Sequence, residues 1–464
     1  MILPKAQYTA SQSKAISRIA LLFFLYGANI LLIAAINISS LIPYFYFLLI
    51  SIAIVETIYP LPLRRVLADY GLFAFLMLAL YLFQYWASPQ FIGLSGGFGI
   101  GTDDTRYFYY IADSYPEGFQ YSHDVSQMRA YEHILKFIAI FPINHPLDIL
   151  FINIIPLILI APFTQEIAYR FTGDEGVARL SAKLIRFCPF LLSNSLILIR
   201  DGWTTMAFVG GLCFLTRANY FKCGAMLAVL FVLRVGSALL LISAMLILIP
   251  RLIMWRKADW TRLAYVLVIG VIMISLLIVS ADVIFNYLLE KGFLGSFFFR
   301  SYFVSEFMTQ AAAVTGNEES ILLAIYRAPD HIRIPLGFIY FFMSPLFSLN
   351  QVIRMDVIAP RAIMQNLYAI LFIVYIKYFI KGTIYALRTR KWDVLIIIAA
   401  CLSMIFIISY SSIQIRHKTQ ALPLLYIIIA YGWSRQIYFG EVLGRIGSLS
   451  SFVIQFGRAV WRFL

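Results

Sequence analysis

The segment ISRIALLFFLYGANILLIAAINI, residues 16–38, decides the fold class of this chain. Its only charged residue is Arg18, close to the start. A bilayer core is crossed by roughly 20 helical residues, so this segment is long enough to span it. No cleavable signal peptide is evident, and we therefore predict that the segment is kept as the first membrane span.

The rest of the chain has the same character. Of its 464 residues, 61% are hydrophobic and 13% are charged, whereas a soluble domain carries about 25% charged residues. Further apolar runs of about spanning length lie at 41–58, 67–87, 147–165, 181–199, 203–219, 222–233, 235–250, 262–281, 365–386, 393–411 and 419–433. These runs predict an all-α, polytopic integral membrane protein with about twelve transmembrane helices.

Two regions of this span assignment allow more than one interpretation. The pair of runs at 222–250 is short for two crossings. It predicts either two tilted half-length helices or one long helix that contains Arg234. The run 333–349 contains Pro335, Gly337 and Pro345. Broken helices of this kind often line a cavity, so we predict a re-entrant segment there.

Basic residues predict the orientation, because short cytoplasmic loops are enriched in Lys and Arg. Lys5, Lys14 and Arg18 precede the first span and predict a cytoplasmic N-terminus. A re-entrant segment at 333–349 also brings Arg388 and its basic neighbours inside. The net charge of +14 is then explained by cytoplasmic loops, and no nucleic-acid partner is predicted. The expected location is the inner (plasma) membrane, with both termini cytoplasmic.

The domain organisation follows from these spans. Residues 1–440 form a single transmembrane domain, with large outward-facing loops at about 88–146 and 282–332. The segment 441–464 alternates apolar residues with arginines. It predicts an amphipathic, basic cytoplasmic tail that lies on the anionic leaflet. Membrane lipid is therefore an expected partner.

The first outer loop contains GTDDTRYFYY, residues 101–110. Asp103 and Asp104 are candidate catalytic acids, and Arg106 and Tyr110 follow them on the next turn of a predicted helix. A simpler interpretation is also open, because one aspartate is a favoured helix N-cap. The aromatic residues could equally form an interfacial belt.

Three more polar points map to the outer side: LIRDGW at 198–203, LRVGS at 233–237 and IRHKTQ at 415–420. Their ionisable residues are functional candidates, because charge near the membrane interior is costly. The guanidinium fork also suits phosphate in a dry site. The candidates are Arg200, Asp201, Arg234, Arg416 and His417. Structural alternatives are an Arg200–Asp201 ion pair, an Arg234 that reaches the headgroups, and an ordinary charged loop at 416–418.

Other site classes find little support in the sequence. The four cysteines form no C-x-x-C pair, and the histidines lack metal-ligand spacing. The glycine run before Asp103 lacks the context of a nucleotide-binding loop. The sequence requires no cofactor. A divalent metal at the two acids is compatible with it, although no ligand spacing demands one.

The order of these motifs resembles that of membrane glycan-assembly enzymes. GTDDTRYFYYIAD is followed by YEHILKF, LIRDGWTTMAF, LRVGSALLL and IRHKTQALPLLYIIIAYG. The series is similar to GT-C-fold glycosyltransferases and to Wzy-type O-antigen and polysaccharide polymerases. The resemblance covers about residues 90–245 and 410–432. The chain departs from these patterns in its directly adjacent acids and in Arg-Val-Gly-Ser, where polymerases often carry a histidine. Both families remain open.

The resemblance implies an enzyme that transfers glycosyl groups at the outer face of the inner membrane. The donor is a polyprenyl-(di)phosphate-linked sugar or oligosaccharide, and the acceptor is a glycan. Asp103 or Asp104 is then the general base, whereas Arg200, Arg234 and Arg416 bind phosphate. Arg106 and Tyr110 hold the sugar or orient the acid. A chain-length regulator or a flippase is a compatible further partner. The alternatives are a GT-C transferase with a monosaccharide donor and a lipid-linked oligosaccharide flippase.

Overall fold

The computed structural model describes residues 4–87, 126–196, 198, 200–255, 330–343, 359–411 and 415–435. Within these ranges every regular element is helical. The α-helices are α1 Pro4–Ile36, α2 Leu41–Ile58, α3 Leu63–Ala87, α4 Ser126–Ile138, α5 Pro146–Leu150, α6 Ile154–Thr172, α7 Glu175–Arg186, α8 Pro189–Ser193, α9 Asp201–Thr216, α10 Tyr220–Leu233, α11 Val235–Trp255, α12 Asp330–Met343, α13 Ala359–Arg388, α14 Trp392–Ser411 and α15 Leu422–Ser434. Short 3-10 helices occupy Ile38–Ser40, Phe151–Asn153, Asn194–Leu196 and Ile415–Gln420.

Five helical segments of the described ranges are long and apolar enough to cross a membrane, by length and composition. They are Ile19–Ile36, Ile38–Ile58, Leu63–Phe83, Pro146–Thr172 and Ile363–Arg388. Shorter apolar helices occur at Tyr220–Leu233, Gly236–Leu248, Trp392–Phe406 and Leu422–Ser434. The regular structure of the described ranges is therefore all-helical, with segments suited to a membrane, as the composition predicts.

Several predicted features lie outside the described residues. They are the span at 262–281, the outer-loop residues 88–125 and 282–329, residues 344–349 of the run 333–349, and the tail 441–464. Part of that run is described: α12 contains Pro335 and ends at Met343. Within the predicted outer loop 88–146, the structure describes helix α4, Ser126–Ile138.

Polar side chains fix the packing of the first three helices. The Asn29 amide donates to the backbone oxygen of Gly71 at 3.0 Å and to the Tyr44 hydroxyl at 3.1 Å. The Tyr26 hydroxyl donates to the backbone oxygen of Leu67 at 3.1 Å. Between membrane helices, hydrogen bonds and close packing specify association more than apolar burial does. These bonds make α1 and α3 parallel neighbours.

Basic residues hold together one end of the helix bundle. The Arg217 guanidinium, after α9, donates to Glu166 and to the Tyr59 hydroxyl, each at 3.1 Å. Lys222, in the first turn of α10, donates to the backbone oxygen of Ile58 at 2.8 Å. A cation at the C-terminal end of α2 satisfies a carbonyl that has no helical partner. The turns α2–α3, α6–α7 and α9–α10 thus share one end.

The C-terminal helices join the same end. Arg435, which follows α15, pairs with Asp174 in the α6–α7 turn at 3.2 Å. The ring pairs Tyr375–Tyr426 and Tyr385–Tyr431 have centroid distances of 6.0 and 5.9 Å. The residue numbers of the contacting rings increase in the same direction along both helices, so α13 and α15 are parallel. The basic turn after α13 therefore also lies at this end.

The predicted span at 181–199 is a broken helix. It is divided between α7, α8 and the 3-10 turn Asn194–Leu196, with the break at Cys188–Pro189. Proline has no N–H and cannot continue a helix from the preceding turn, but it is well suited to start a new one. The broken helix starts beside the C-terminal end of α6 and runs back to the N-terminal end of α6. There the Asn153 amide donates to the backbone oxygen of Ser195 at 3.3 Å.

Candidate functional site

The candidate site lies at the bundle end opposite the basic turns, where α9 begins. Asp201 is the first residue of α9, a position that favours an acid because the helix N-terminus is positive. Its carboxylate pairs with the Arg234 guanidinium, and the distance from Oδ1 to Nη1 is 2.8 Å. The side chains are only 1% and 14% exposed. The predicted alternative pair, Arg200–Asp201, is therefore replaced by Asp201–Arg234.

Arg234 occupies the junction between α10 and α11. Its backbone is extended, with φ −164° and ψ 101°, and this ends α10 at Leu233. The two sequence interpretations of 222–250 are thereby resolved in favour of two helices. The backbone oxygen of Arg234 accepts from the backbone N–H groups of Ser237 and Ala238 and starts α11. The extended residue directs its side chain towards α9 and Asp201.

Arg200 contacts the same junction from the other side. Its Nη1 donates to the backbone oxygen of Leu233 at 2.6 Å. This carbonyl belongs to the last turn of α10, where helical carbonyls lack intrahelical partners. Two motifs that stand far apart in the sequence, LIRDGW and LRVGS, are therefore joined by two separate contacts.

The third motif enters the site through Gln420. The Gln420 amide nitrogen Nε2 donates to Ser237 Oγ at 2.6 Å and lies 3.4 Å from Thr204 Oγ1. The Thr204 hydroxyl in turn donates to the backbone oxygen of Asp201 at 3.0 Å. These contacts close a polar ring through Asp201, Arg234, Ser237, Gln420 and Thr204. All three motifs contribute to it.

The site gathers positive charge beyond its one ion pair. Helices α6, α9, α11 and α15 all begin at this end, and a Cβ at Gly202 would lie 3.3 Å from Pro156 of α6. A helix N-terminus carries about half a positive charge. Among the described residues, two guanidinium groups and these helix ends lie near one carboxylate, that of Asp201. Such an arrangement favours an anion.

Buried acceptors in the ring lack donors within the described part of the chain. The second carboxylate oxygen of Asp201, Oδ2, is one, and the Gln420 amide oxygen is another. Leaving a buried polar group unpaired costs about 1–3 kcal/mol. A water or a ligand hydroxyl would remove this cost. The ring therefore combines cations that suit phosphate with acceptors that suit hydroxyl groups.

The other predicted site residues fall into two groups. Asp103, Asp104, Arg106 and Tyr110 lie outside the described residues. Arg416 and His417 belong to the 3-10 helix Ile415–Gln420, and this helix is continuous with the ring residue Gln420. The backbone of this third motif therefore reaches the site.

Lys418 has an environment that the sequence did not predict. The sequence groups it with an outward-facing charged loop, but the structure buries it completely. Its ammonium donates to the backbone oxygen of Phe342. It also lies 4.5 Å from the ring centroid of Phe372 and 5.2 Å from that of Tyr368. Burial lowers the pKa of Lys418 to about 7.

Sequence reasoning also missed the polar partners that complete the ring. Thr204, Ser237 and Gln420 are uncharged, and each is almost fully buried. A signal was present in the TQ pair directly before the apolar run of α15, because polar residues at that depth need partners. The identity of these partners could not be predicted from the sequence alone.

Metal binding finds no support in the described ranges. They hold no group of three or more His, Cys, Asp or Glu side chains that could bind a metal ion. The adjacent acids Asp103 and Asp104 lie outside those ranges.

Comparison of the chain with protein-family models, with curated proteins and with solved structures finds no match. Guanidinium groups and helix N-termini bind anions, whereas the carboxylate and the amide oxygen accept hydrogen bonds from hydroxyls.

Proposed function

We propose that the protein transfers glycosyl groups at the outer face of the inner membrane. The donor is a polyprenyl-diphosphate-linked sugar or oligosaccharide, and the reaction is that of a Wzy-type polymerase of O-antigen or another surface polysaccharide. One observation carries the proposal: Arg200, the Asp201–Arg234 pair and Gln420 converge from three distant motifs on one buried, positively charged site.

The proposal includes a topology of about twelve spans, with a re-entrant segment at 333–349 and both termini in the cytoplasm. The position of the basic turns supports it. Arg217 and Lys222 lie at the end opposite Asp201, because α9 separates Thr216 from Asp201. If basic loops face the cytoplasm, the candidate site faces outward, where a lipid-linked sugar is presented.

The proposed role of the arginines is to stabilise the leaving group. As the bond between the sugar and the diphosphate breaks, negative charge develops on the phosphate oxygens. Arg200 and Arg234 donate hydrogen bonds to those oxygens, and the N-termini of α9 and α11 add to the positive field. Donors that are held in place before the reaction stabilise developing charge most effectively. Arg416 and His417 are proposed to contribute from the third motif.

The proposed reaction balances without a cofactor. The acceptor hydroxyl gives its proton to the carboxylate of Asp103 or Asp104, which acts as the general base. Its oxygen forms a bond to the anomeric carbon. The bond from that carbon to the diphosphate oxygen breaks, and the electron pair leaves with the diphosphate. Arg106 and Tyr110 orient the sugar or the acid.

A GT-C transferase with a polyprenyl-phosphate monosaccharide is the second candidate. A monophosphate carries less charge than a diphosphate. Two guanidinium groups, together with the N-termini of α9 and α11, match the larger charge better. This supports the diphosphate donor. A flippase is less favoured, because transporters usually place their charged sites near the midplane, whereas Asp201 and Arg234 lie where helices begin.

A charge exchange in cells tests the proposal. The double variant Asp201→Arg with Arg234→Asp keeps an ion pair but moves the guanidinium group from the α10–α11 junction to the start of α9. If the pair binds phosphate, the exchange should restore stability relative to either single variant without restoring polysaccharide assembly. The exchange Asp174→Arg with Arg435→Asp, at the opposite end, is the matched control and should leave assembly intact. Full assembly by the Asp201/Arg234 exchange would contradict the proposed role.

The products in cells that lack the protein separate the candidate functions. Loss of a polymerase should leave single repeat units linked to lipid at the outer face. Loss of a single-sugar transferase should leave a glycan that lacks one residue. Loss of a flippase should leave intermediates on the cytoplasmic face. An unchanged glycan profile would overturn glycosyl transfer altogether.

A further inference from the structure

A cavity opens between α1 and the first turns of α3, far from the candidate site. Its volume is about 290 Å³. The apolar wall consists of Leu21, Leu22, Leu25 and Ala68, and Arg64 and Arg65 line the same cavity. An apolar wall beside two adjacent cations is chemically amphipathic, and so is a phospholipid.

The cavity lies where two apolar membrane segments begin. The apolar segment of α1 starts at Ile19 and that of α3 at Leu63. The bonds from Tyr26 to Leu67 and from Asn29 to Gly71 hold the two helices side by side. The arginines thus lie at the start of the membrane-spanning segments, at the depth where lipid headgroups meet acyl chains.

The charges around the cavity do not cancel. Asp69 is the acid beside it, and Arg186 from α7 approaches its Oδ2 to 3.1 Å. Arg65 reaches the same oxygen only at 3.8 Å, which is too long for a hydrogen bond. Arg64 is exposed and makes no ion pair or hydrogen bond with any residue that the structure describes. Among the described residues, Asp69 pairs with Arg186 and approaches Arg65, whereas Arg64 has no carboxylate partner, so positive charge remains at the cavity.

We infer that this cavity binds an anionic phospholipid. Its phosphate contacts Arg64 and Arg65, and one acyl chain follows Leu21, Leu22 and Leu25. The site lies at the basic end of the bundle, which the positive-inside rule assigns to the cytoplasmic leaflet, where anionic lipids attract basic residues. This inference is independent of glycosyl transfer, because it uses a different end of the bundle.

Native mass spectrometry of the purified full-length chain tests the inference. The detergent-solubilised protein is titrated with phosphatidylglycerol or phosphatidylcholine. Phosphatidylglycerol should remain bound with the higher affinity. The variant Arg64→Gln with Arg65→Gln should lose roughly tenfold or more of that affinity, since each basic residue contributes about a fivefold preference. Arg179→Gln is the matched control, because this exposed arginine lies at the same end and pairs only with Glu175 among the described residues.

Further variants make the result decisive. Arg64→Gln alone removes an exposed side chain without a described partner, so the fold should persist and the affinity should still fall. Leu25→Glu places a carboxylate on the apolar wall and should also weaken phosphatidylglycerol binding. Equal affinity for both lipids, or unchanged binding by the double variant, would overturn the inference. So would displacement of the lipid by millimolar inorganic phosphate, which would indicate a site for free phosphate.

Discussion

The Asp201 carboxylate lies 2.8 Å from the Arg234 guanidinium, and the two residues are 33 positions apart in the chain. The contact exists because α10 ends at Leu233 and the extended Arg234 turns back to the start of α9. Asp201 also takes part in the polar ring that Gln420 completes. Stability at this end of the bundle and charge at the candidate site therefore depend on the same pair.

Asp201→Ala should strongly destabilise the protein. It leaves the Arg234 guanidinium without its carboxylate at a largely buried position, and breaking a buried pair typically costs about 3–5 kcal/mol. The free energy of unfolding, measured by denaturant titration in detergent, gives the value. Asp174→Asn removes the charge from the more exposed pair with Arg435 but keeps an acceptor that caps α7, and it should cost about 1 kcal/mol or less. Equal losses in the two variants would contradict the structural ranking.

Gln420 and Ser237 should be energetically coupled. Gln420→Leu and Ser237→Ala each remove the 2.6 Å hydrogen bond between them. A double-mutant cycle should therefore give an interaction energy of about 0.5–3 kcal/mol. Additive losses would show that the ring does not act as a unit. Gln420→Leu is also expected to lower the rate of glycan assembly. The control is Ser243→Ala, because Ser243 lies on α11 like Ser237, but among the described residues its hydroxyl bonds to the nearby backbone oxygen of Leu240. This control should lower the rate less.

Gly432→Ala should force α13 and α15 apart and lower the stability of the protein. A Cβ at Gly432 would collide with the backbone oxygen of Tyr378 and would lie 2.7 Å from the Gly382 nitrogen. Backbone atoms cannot move aside as side chains do, so we expect a loss of about 3 kcal/mol or more in stability. The control is Gly224→Ala, because a Cβ there would meet nothing within 4 Å. Because Gly224→Ala replaces a glycine inside a helix, it should leave the free energy of unfolding unchanged or raise it by about 1 kcal/mol.

His145 should make stability depend on pH below neutrality. Its Nδ1 accepts from the Leu147 N–H and caps α5, which requires the neutral imidazole. Burial lowers the pKa of His145 from its ordinary value of 6.5. As the pH falls below about 6.5, the unfolded chain binds a proton at His145 more readily than the native chain does, so the stability of the protein falls. Well above that pH, both states hold the neutral imidazole, and His145 does not affect the pH dependence.

Thermal unfolding between pH 8 and pH 5 measures this effect. His145→Asn retains a capping acceptor that does not titrate, and it should remove the His145 contribution to the pH dependence. An unchanged pH profile in His145→Asn would show that other groups are responsible.

The acids of the first outer loop should be essential for polysaccharide assembly. Under the proposed function, Asp103→Asn and Asp104→Asn variants that fold normally should lose polysaccharide assembly in cells, because the general base is removed. Full activity of both single variants and of the double variant would contradict that role. Thr102→Cys should react with a membrane-impermeant thiol reagent in intact cells. Protection of this cysteine would overturn the predicted orientation.

Sequence patterns predicted helix positions well where apolar runs are long. The runs at 41–58, 365–386 and 393–411 correspond to α2, α13 and α14. They succeeded because a continuous apolar run of spanning length has few structures other than a membrane helix. The run at 181–199 was less informative, because hydropathy does not detect the break that Pro189 introduces.

The polar contacts were beyond local reasoning for a different reason. Asp69 and Arg186 each interrupt an apolar run, and either could have been given a structural or a functional role. Only the folded chain brings the side chain at the end of α7 to within 3.1 Å of Asp69 on α3. Lys418 shows the same limit, because its sequence neighbours are polar while its spatial neighbours are aromatic rings.

The amino-acid pattern alone was sufficient to predict a helical membrane protein and to mark the charged residues that such a chain retains at a cost. Composition and run length suffice for this, because the bilayer acts on every residue independently of its distant neighbours. The pairing of Asp201 with Arg234 rather than with Arg200, and the contacts of Gln420 with the same ring, follow from the packing of the helices. Such pairings depend on where helices end and which helix ends meet, and contacts across 183 positions, as between Gln420 and Ser237, exist only in the folded chain.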